Sequence, residues 1–165
     1  MPGIALTNQF AGVIGKRRLL RSWEFEVEFH GEGLRINPVY VNSTSFPGRA
    51  VSDIELPIGG TTMKYPGPPV YDSSWTVTFR DTFDLSVRKA LDRYIGQIAW
   101  YESRPRFQPQ MTVIVRPVDP VLGGNTMIVL ENAYISNIGD ATMEYSNEAL
   151  ATYEVTFNYH RWYFK

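Results

Sequence analysis

The sequence predicts a mainly β domain, β-sandwich or barrel-like, with one flanking α-helix. Several short segments alternate apolar and polar residues, which is the period of a strand that buries one face. A single longer segment has the 3.6-residue period of an amphipathic helix. The 13 Gly and 11 Pro residues of the 165-residue chain cluster between these segments, as expected for turns and ordered loops. Short antiparallel strands with one helix are typical of a sandwich or barrel.

The first strand is predicted at residues 22–30. Its apolar face, which we assign to the core, carries Trp23, Phe25, Val27 and Phe29, and its opposite face carries Glu24, Glu26, Glu28 and His30. Residues 31–33 form a tight turn, so we expect a hairpin whose second strand runs from Leu34 to Val41. Pro38 within that strand suggests an edge position or a bulge.

Residues 42–73 are the least regular part of the chain. They contain five Pro and four Gly residues but also many apolar side chains, so disorder is not expected. A long segment between strands of a compact domain is usually functional. We expect an extended arm that buries its apolar residues against another chain. The alternative is a loop, with or without a short hairpin, folded over its own core. The arm residues are Phe46, Pro47, Gly48, Arg49, Val51, Ile54, Leu56, Ile58, Met63 and Tyr65.

The clearest strand and the only predicted helix follow the arm. Alternation from Ser74 to Arg80 assigns Trp75, Val77 and Phe79 to the core. Asp81 or Thr82 is then expected to cap the helix. The apolar face of the helix consists of Phe83, Val87, Ala90, Leu91, Tyr94, Ile95 and Ile98.

Four further strands complete the expected order β-β-arm-β-α-β-β-β-β. They begin at Met111, at Met127, near Met143 and at Thr152. The last strand runs toward His160 and places Tyr153, Val155 and Phe157 in the core.

We divide the chain into an N-terminal extension, residues 1–21, and one domain, residues 22–165, that includes the arm. The extension holds four basic and no acidic residues, so 12 basic and 17 acidic residues give the remainder a net charge of -5. The basic cluster is either a solvated leader or an arm that docks on an acidic neighbour. It consists of Lys16, Arg17, Arg18 and Arg21. No apolar run is long enough to cross a membrane, and the order of charged and apolar residues argues against a signal peptide.

The sequence offers little for catalysis, and we expect a protein that is not an enzyme and uses no cofactor. The chain has no Cys, which excludes disulfides, thiolate metal sites and cysteine nucleophiles. His30 and His160 lack partners at the spacing of a zinc or catalytic site. No phosphate-binding loop, dinucleotide fingerprint or nucleophile elbow is present. We therefore assign no catalytic and no metal-binding residue.

The acidic row of Glu24, Glu26 and Glu28 allows two interpretations. It can be an ordinary solvated strand face. If the strand lines a channel, the row would instead repel a polyanion such as DNA, because cationic side chains are what hold phosphates to proteins.

Short motifs in a fixed order carry a family resemblance across residues 23–160. They are Phe25-Glu-Val-Glu-Phe29-His-Gly31, Phe46-Pro-Gly-Arg49, Lys64-Tyr-Pro-Gly67 before Trp75-Thr-Val-Thr-Phe79, Asp81 before a helix with Arg88, and Tyr134-Ile-Ser-Asn-Ile138-Gly139 before Tyr153-Glu-Val-Thr-Phe157-Asn-Tyr159. With this set the chain resembles the tail tube proteins of contractile-tailed phages, whose fold is related to the secreted tube protein of type VI secretion. The basic leader and the aromatic end Trp162-Tyr163-Phe164 depart from the family pattern.

The resemblance implies a β-sandwich-like subunit that forms hexameric rings, stacked into a hollow conduit for DNA ejection inside a contractile sheath. The arm would contact neighbouring subunits and the adjacent ring. The implied partners are further copies of the chain and the tail sheath, baseplate and tail terminator proteins. The tape measure protein and DNA would pass through the lumen without specific binding. The implied location is the tail of the virion, after synthesis in the host cytoplasm, without membrane insertion.

Two alternatives stay open. The chain could be the tube subunit of a type VI secretion or phage-tail-like injection machine, with the same fold and a different cargo. It could also be a small ligand-binding β-barrel, although such a barrel has short hairpin loops, unlike residues 42–73. A carboxylate hydrolase would need a convergent group of side chains that the sequence does not suggest.

Overall fold

Strands dominate the part of the chain that the computed structural model describes, which is residues 22, 24–99, 110–118, 126–141 and 150–165. The strands are β1 (Phe25–His30), β2 (Val41–Thr44), β3 (Arg49–Ile58), β4 (Thr61–Tyr71), β5 (Ser74–Arg80), β6 (Met111–Pro117), β7 (Ile128–Ile138), β8 (Thr152–Asn158) and β9 (Arg161–Phe164), and the helix is α1 (Ser86–Ala99). Within these described residues, the mainly β class with one helix is confirmed. Trp23, the N-terminal extension and the strand expected near Met143 lie outside the described residues.

One antiparallel sheet of seven strands forms the body, in the order β1-β6-β7-β8-β5-β2, with β9 also paired to β7. Strand β7 belongs to both halves, because its first part pairs with β6 and β9 and its second part pairs with β8. Phe29 on β1 contacts Phe157 on β8 and Phe79 on β5, with ring centroids 5.5 and 5.9 Å apart. The two halves of the sheet therefore face each other as a sandwich.

The core lies between these halves and contains the alternating residues of each strand. Val27, Phe29, Trp75, Val77, Phe79, Tyr153, Val155 and Phe157, which the sequence assigns to the core, are all buried. Phe25 is only partly buried against this cluster.

The helix packs against the body through Val87, Leu91 and Tyr94. Phe83, expected on its apolar face, is fully exposed and precedes the helix, so that assignment is wrong. The helix starts later because Leu85 has a positive φ of 53° and closes a turn by donating its amide to the Thr82 carbonyl.

The expected strand from Leu34 to Val41 is also wrong. All six residues of β1 pair with β6, and Leu34 makes only an isolated bridge with Gly31. Asn37 then accepts a hydrogen bond from the Val39 amide at 3.1 Å and, with Pro38 next to it, starts a 3-10 turn. This local capping outweighs the weak strand pattern, and β2 begins only at Val41.

The C-terminus adds a strand that the sequence pattern does not predict. The expected last strand ends at Asn158, and β9 follows after a bend. Strand β9 pairs with the first part of β7, where Trp162 lies opposite Leu130. Trp162 is buried there, so the aromatic end of the chain completes the body.

Candidate assembly surfaces

The segment expected to be an arm is a long β-hairpin. Strands β3 and β4 pair from Arg49 with Tyr71 to Ile58 with Thr61. Gly59 and Gly60 form the two-residue turn and have φ values of 59° and 82°. Positive φ at both central positions is the type I′ geometry that matches strand twist, and glycine adopts it at low cost.

One face of this hairpin is apolar and open to solvent. Directly opposed residues of an antiparallel pair share a face, so Ile54 with Tyr65 and Leu56 with Met63 lie together. Ile58 continues the same row. These five side chains are each 44–53% exposed, so the part of the chain that the structure describes leaves this surface uncovered. We call them the apolar face of the hairpin.

The other face of the hairpin is charged. Lys64 lies 3.1 Å from Asp53 and 3.5 Å from Glu55, measured between the ammonium nitrogen and the carboxylate oxygens. All three side chains are more than half exposed, so these ion pairs contribute little to stability. The hairpin is therefore an amphipathic ribbon. A ribbon of two strands is marginally stable alone, so an apolar face of this kind is suited to a partner.

The remaining arm residues lie at the base of the hairpin. Val51 is opposite Pro69 and is 56% exposed. Phe46 is also exposed, whereas Pro47 is buried. Two tryptophan indoles fix the linker between β2 and β3, residues 45–48. Trp75 donates a hydrogen bond to the Ser45 carbonyl at 2.6 Å, and Trp162 donates one to the Gly48 carbonyl at 3.0 Å.

Arg49 connects the hairpin to the C-terminal strand. Its guanidinium carbon lies 4.9 Å from the ring centre of Tyr71 and 4.5 Å from that of Trp162. The same group donates a hydrogen bond to the Trp162 carbonyl oxygen at 3.2 Å. The Arg49 guanidinium thus makes cation–π contacts with two aromatic rings, and these contacts stabilise its position.

The acidic row is only partly on the surface. Glu24 is 5% exposed, so the expectation of three solvent-facing glutamates is wrong at this position. Arg116, opposite on β6, contacts Glu26 at 2.8 Å and Glu28 at 2.6 Å, and Glu28 also lies 3.0 Å from the His30 ring nitrogen. The hydrogen bond to Glu26 and the two carboxylates raise the pKa of Arg116. Glu26 and Glu28 thus belong to a mixed-charge cluster on the outer face of β1 and β6.

Asp81 organises the start of the helix, as the sequence predicts. Its carboxylate accepts hydrogen bonds from the amides of Val87 at 3.0 Å and Arg88 at 2.8 Å, and from the Tyr153 hydroxyl at 3.0 Å. Burial opposes ionisation of Asp81, but these donors and the Thr82 amide outweigh it and lower the Asp81 pKa. Burial and the nearby carboxylate raise the pKa of Tyr153. This network ties the helix to β8.

Two strands have an edge that no other described strand covers. Among the described residues, β1 pairs only with β6, and β2 pairs only with β5. A groove of about 330 Å³ lies beside both strands and is lined by Phe25, Thr44, Phe46 and Val115 among others. Unpaired edges of this kind present backbone donors and acceptors to another chain.

The sandwich interior is filled rather than hollow where the aromatic residues meet. Phe29, Phe157, Trp75 and Phe79 form a chain of ring contacts at 5.5–5.9 Å. A ligand-binding barrel would need that space for its ligand. Among the described residues, no group of three or more His, Asp or Glu side chains could hold a metal ion. In the same part of the chain, no helix combines the length and apolar character needed to span a bilayer.

Sequence reasoning missed the Arg49 contacts with Trp162. Arg49 was included among the arm residues, but its partners come from the far end of the chain, 113 positions away. No periodic pattern relates two residues at that separation. The aromatic run at residues 162–164 is the only signal that could have suggested an anchoring strand.

Comparison with known proteins gives a family and a fold. The sequence model of the phage tail tube protein family matches residues 16–165. A chain in the cryo-EM structure of the anti-feeding prophage baseplate is 13% identical, with a TM-score of 0.68 over 90% of this chain and 97% of that one.

Two further structures show the same fold. A chain in the sheath–tube complex of an extracellular contractile injection system, PVC, is 17% identical, with a TM-score of 0.61 over 93% of this chain and 96% of that one. A crystal structure of Hcp protein is 14% identical, with a TM-score of 0.51 over 86% of this chain and 91% of that one. The comparison with curated proteins found no match.

Proposed function

The chain belongs to the phage tail tube protein family, and we propose that it assembles into stacked hexameric rings that form a hollow conduit inside a contractile sheath. The observation that carries this proposal is the apolar face of the hairpin, which is built from regular strand pairing yet left uncovered by the described residues. In the assembly, this face packs against a second copy of the chain in the same or the adjacent ring.

Ring closure also accounts for the two open strand edges. A cyclic oligomer in which β1 or β2 of each subunit continues the sheet of its neighbour has no exposed edge left. The grooved surface beside β1 and β2 becomes part of the contact between subunits. The same closure gives the tube lateral stiffness, because its wall is one continuous hydrogen-bonded sheet.

The tube serves as a passive conduit. A surrounding sheath supplies the driving force, and the tape measure protein and DNA occupy the lumen without a dedicated binding site. Sheath, baseplate and terminator proteins are the other partners in the virion tail. The basic residues Lys16, Arg17, Arg18 and Arg21 act as a docking arm for an acidic neighbour. A type VI secretion or other phage-tail-like machine would use the same subunit contacts for a different cargo.

Of the acidic row, Glu26 and Glu28 are the residues that we propose face the lumen. Their carboxylates outnumber the one Arg116 guanidinium between them, so the cluster keeps a net negative charge and would not retain phosphates. Replacing both with Gln leaves the tube intact and, if the cluster lines the lumen, slows DNA ejection from the assembled phage. Glu154→Gln, on the exposed side of β8, is the matched control. Unchanged ejection in the double variant would remove this cluster from the lumen.

Electron microscopy of a shortened hairpin tests the assembly proposal. Replacing residues 55–64 with Asn-Gly keeps the pair Ile54 and Tyr65 and closes it with a favoured two-residue turn. The full-length protein should form rings or tubes of uniform width as its concentration rises. The shortened protein should remain a folded subunit, with an unchanged near-ultraviolet circular dichroism spectrum. Normal tubes from the shortened protein would refute the role of the hairpin.

A further inference from the structure

At the base of the hairpin, side chains from three separate strands contact one another. Arg49 begins β3, Tyr71 ends β4 and Trp162 lies on β9. The Arg49 guanidinium contacts both rings and donates to the Trp162 carbonyl oxygen, while the Trp162 indole donates back to the Gly48 carbonyl oxygen. We call Arg49, Tyr71, Trp162 and the Gly48 carbonyl the clasp.

We infer that the clasp fixes the direction in which the hairpin leaves the body, so that Arg49 is a positioning residue for assembly and β9 is its support. This inference rests on the proposed function in one respect. A fixed hairpin direction matters for assembly only if the hairpin binds a second copy of the chain.

The reason for a fixed direction is geometric. A hairpin joined to a body by two linkers alone can pivot, because each linker has two soft dihedral angles per residue. The clasp joins both strands of the hairpin to a third element, and the third element is paired along β7 from Ile128 to Glu131. A pivot of the hairpin would therefore have to break the stacking and the two hydrogen bonds together.

The chemistry of Arg49 suits this task. A guanidinium is planar, so it stacks on two rings and still presents an N–H group to a carbonyl in its plane. A lysine ammonium would keep the charge but lose the stacking.

The test measures the hairpin direction in the unassembled subunit. The chain has no Cys, so Thr62→Cys near the hairpin tip and Lys89→Cys on α1 place two spin labels without competing sites. Electron–electron double resonance, on labelled protein diluted with unlabelled protein, then gives the distance distribution within one subunit. With Arg49 present, a single narrow distance is expected.

Three variants decide the outcome. In Arg49→Ala, the narrow distribution of spin-label distances should become broad. In Arg49→Lys, the width of the distribution should lie between those of the native protein and Arg49→Ala. Lys64→Ala, which removes the ion pairs farther along the hairpin, should keep the native distance. The Arg49 side chain is exposed and lies outside the core, so the Arg49→Ala protein should keep the native melting temperature. This melting temperature serves as the control for folding.

Several results would overturn the inference. They are a broad distribution in the native protein, a native distance in Arg49→Ala, or equal broadening in Lys64→Ala. None of these results depends on tube formation. If the clasp holds and native protein still forms no tube, the proposed function fails, while the finding that Arg49 fixes the hairpin direction stands.

Discussion

A charge placed on the apolar face of the hairpin should block assembly without unfolding the subunit. Leu56 lies at the centre of this face, opposite Met63, and 44% of its surface is open to solvent. Leu56→Asp puts a carboxylate where a second copy of the chain is proposed to pack. The loss of assembly free energy can be calculated from the exposed fraction of the Leu56 side chain, which the second copy would cover.

The magnitude is worked out in two steps. Burying a whole leucine side chain contributes about 1.5–3 kcal/mol, so covering the 44% that is exposed contributes about 1 kcal/mol. Leu56→Ala should therefore raise the critical concentration for tube growth about fivefold. Leu56→Asp also leaves a carboxylate to be desolvated, which adds several kcal/mol and raises the critical concentration by more than about 100-fold.

The assay is sedimentation of tubes from a concentration series, with electron microscopy of the pellet. Thr62→Asp is the matched control, since Thr62 lies opposite Pro57 on the charged face of the same hairpin and the substitution likewise places an aspartate in a strand. Both variants should keep the native melting temperature within the small range typical of surface substitutions. Equal critical concentrations for the two variants would refute the assignment of the apolar face as the contact surface.

Four other substitutions have expected outcomes. Asp81→Asn should lower the free energy of unfolding at pH 7 by about 1–2 kcal/mol, because the second carboxylate oxygen accepts two hydrogen bonds. Folding lowers the Asp81 pKa from 3.8, so this stability is present above pH 4 or so and is lost as pH falls through the folded pKa. Urea unfolding of both proteins at pH 7 and pH 3 measures the difference, which should shrink at pH 3. Gly60→Val should weaken tube growth because its φ is positive, whereas Gly59→Asn, a favoured residue in this turn, should leave the critical concentration unchanged. Phe157→Ala, in a fully buried position, should cost about 3–5 kcal/mol in urea unfolding.

The parts of the fold that could be predicted are those with a strict local period. The alternation in β5 and β8 placed Trp75, Val77, Phe79, Val155 and Phe157 on buried faces, and each of them is buried. These strands are hydrogen-bonded on both sides and pack one face on the core. Local pattern and tertiary burial therefore impose the same arrangement.

The hairpin was harder to predict because two local signals disagree. Prolines at 66, 68 and 69 argue against a strand, yet among the described strands β4 pairs only with β3, and edge strands tolerate proline. The alternation of Ile54, Leu56 and Ile58 and the two glycines after them were a sufficient signal for a hairpin. The prediction of an extended arm relied on composition and did not specify this strand pairing.

The contacts that join distant segments could not be predicted from pattern. Arg116 meets Glu26 and Glu28 only because β6 pairs with β1, and Arg49 meets Trp162 only because β9 returns to β7. Pairing of strands far apart in sequence is decided by the whole core and has no local period.

The hairpin and the body respond to different substitutions, and this separation is itself a consequence of the fold. Core residues such as Phe157 determine whether the subunit folds, and their effect appears in the free energy of unfolding. Arg49 determines where the hairpin points, and its effect appears in a distance within one subunit. Leu56 determines how strongly the hairpin binds, and its effect appears in the critical concentration. If the hairpin packed on its own body, a change at Leu56 would alter all three quantities together. An effect of Leu56→Ala on the critical concentration alone would therefore show that the apolar face of the hairpin is covered by another chain.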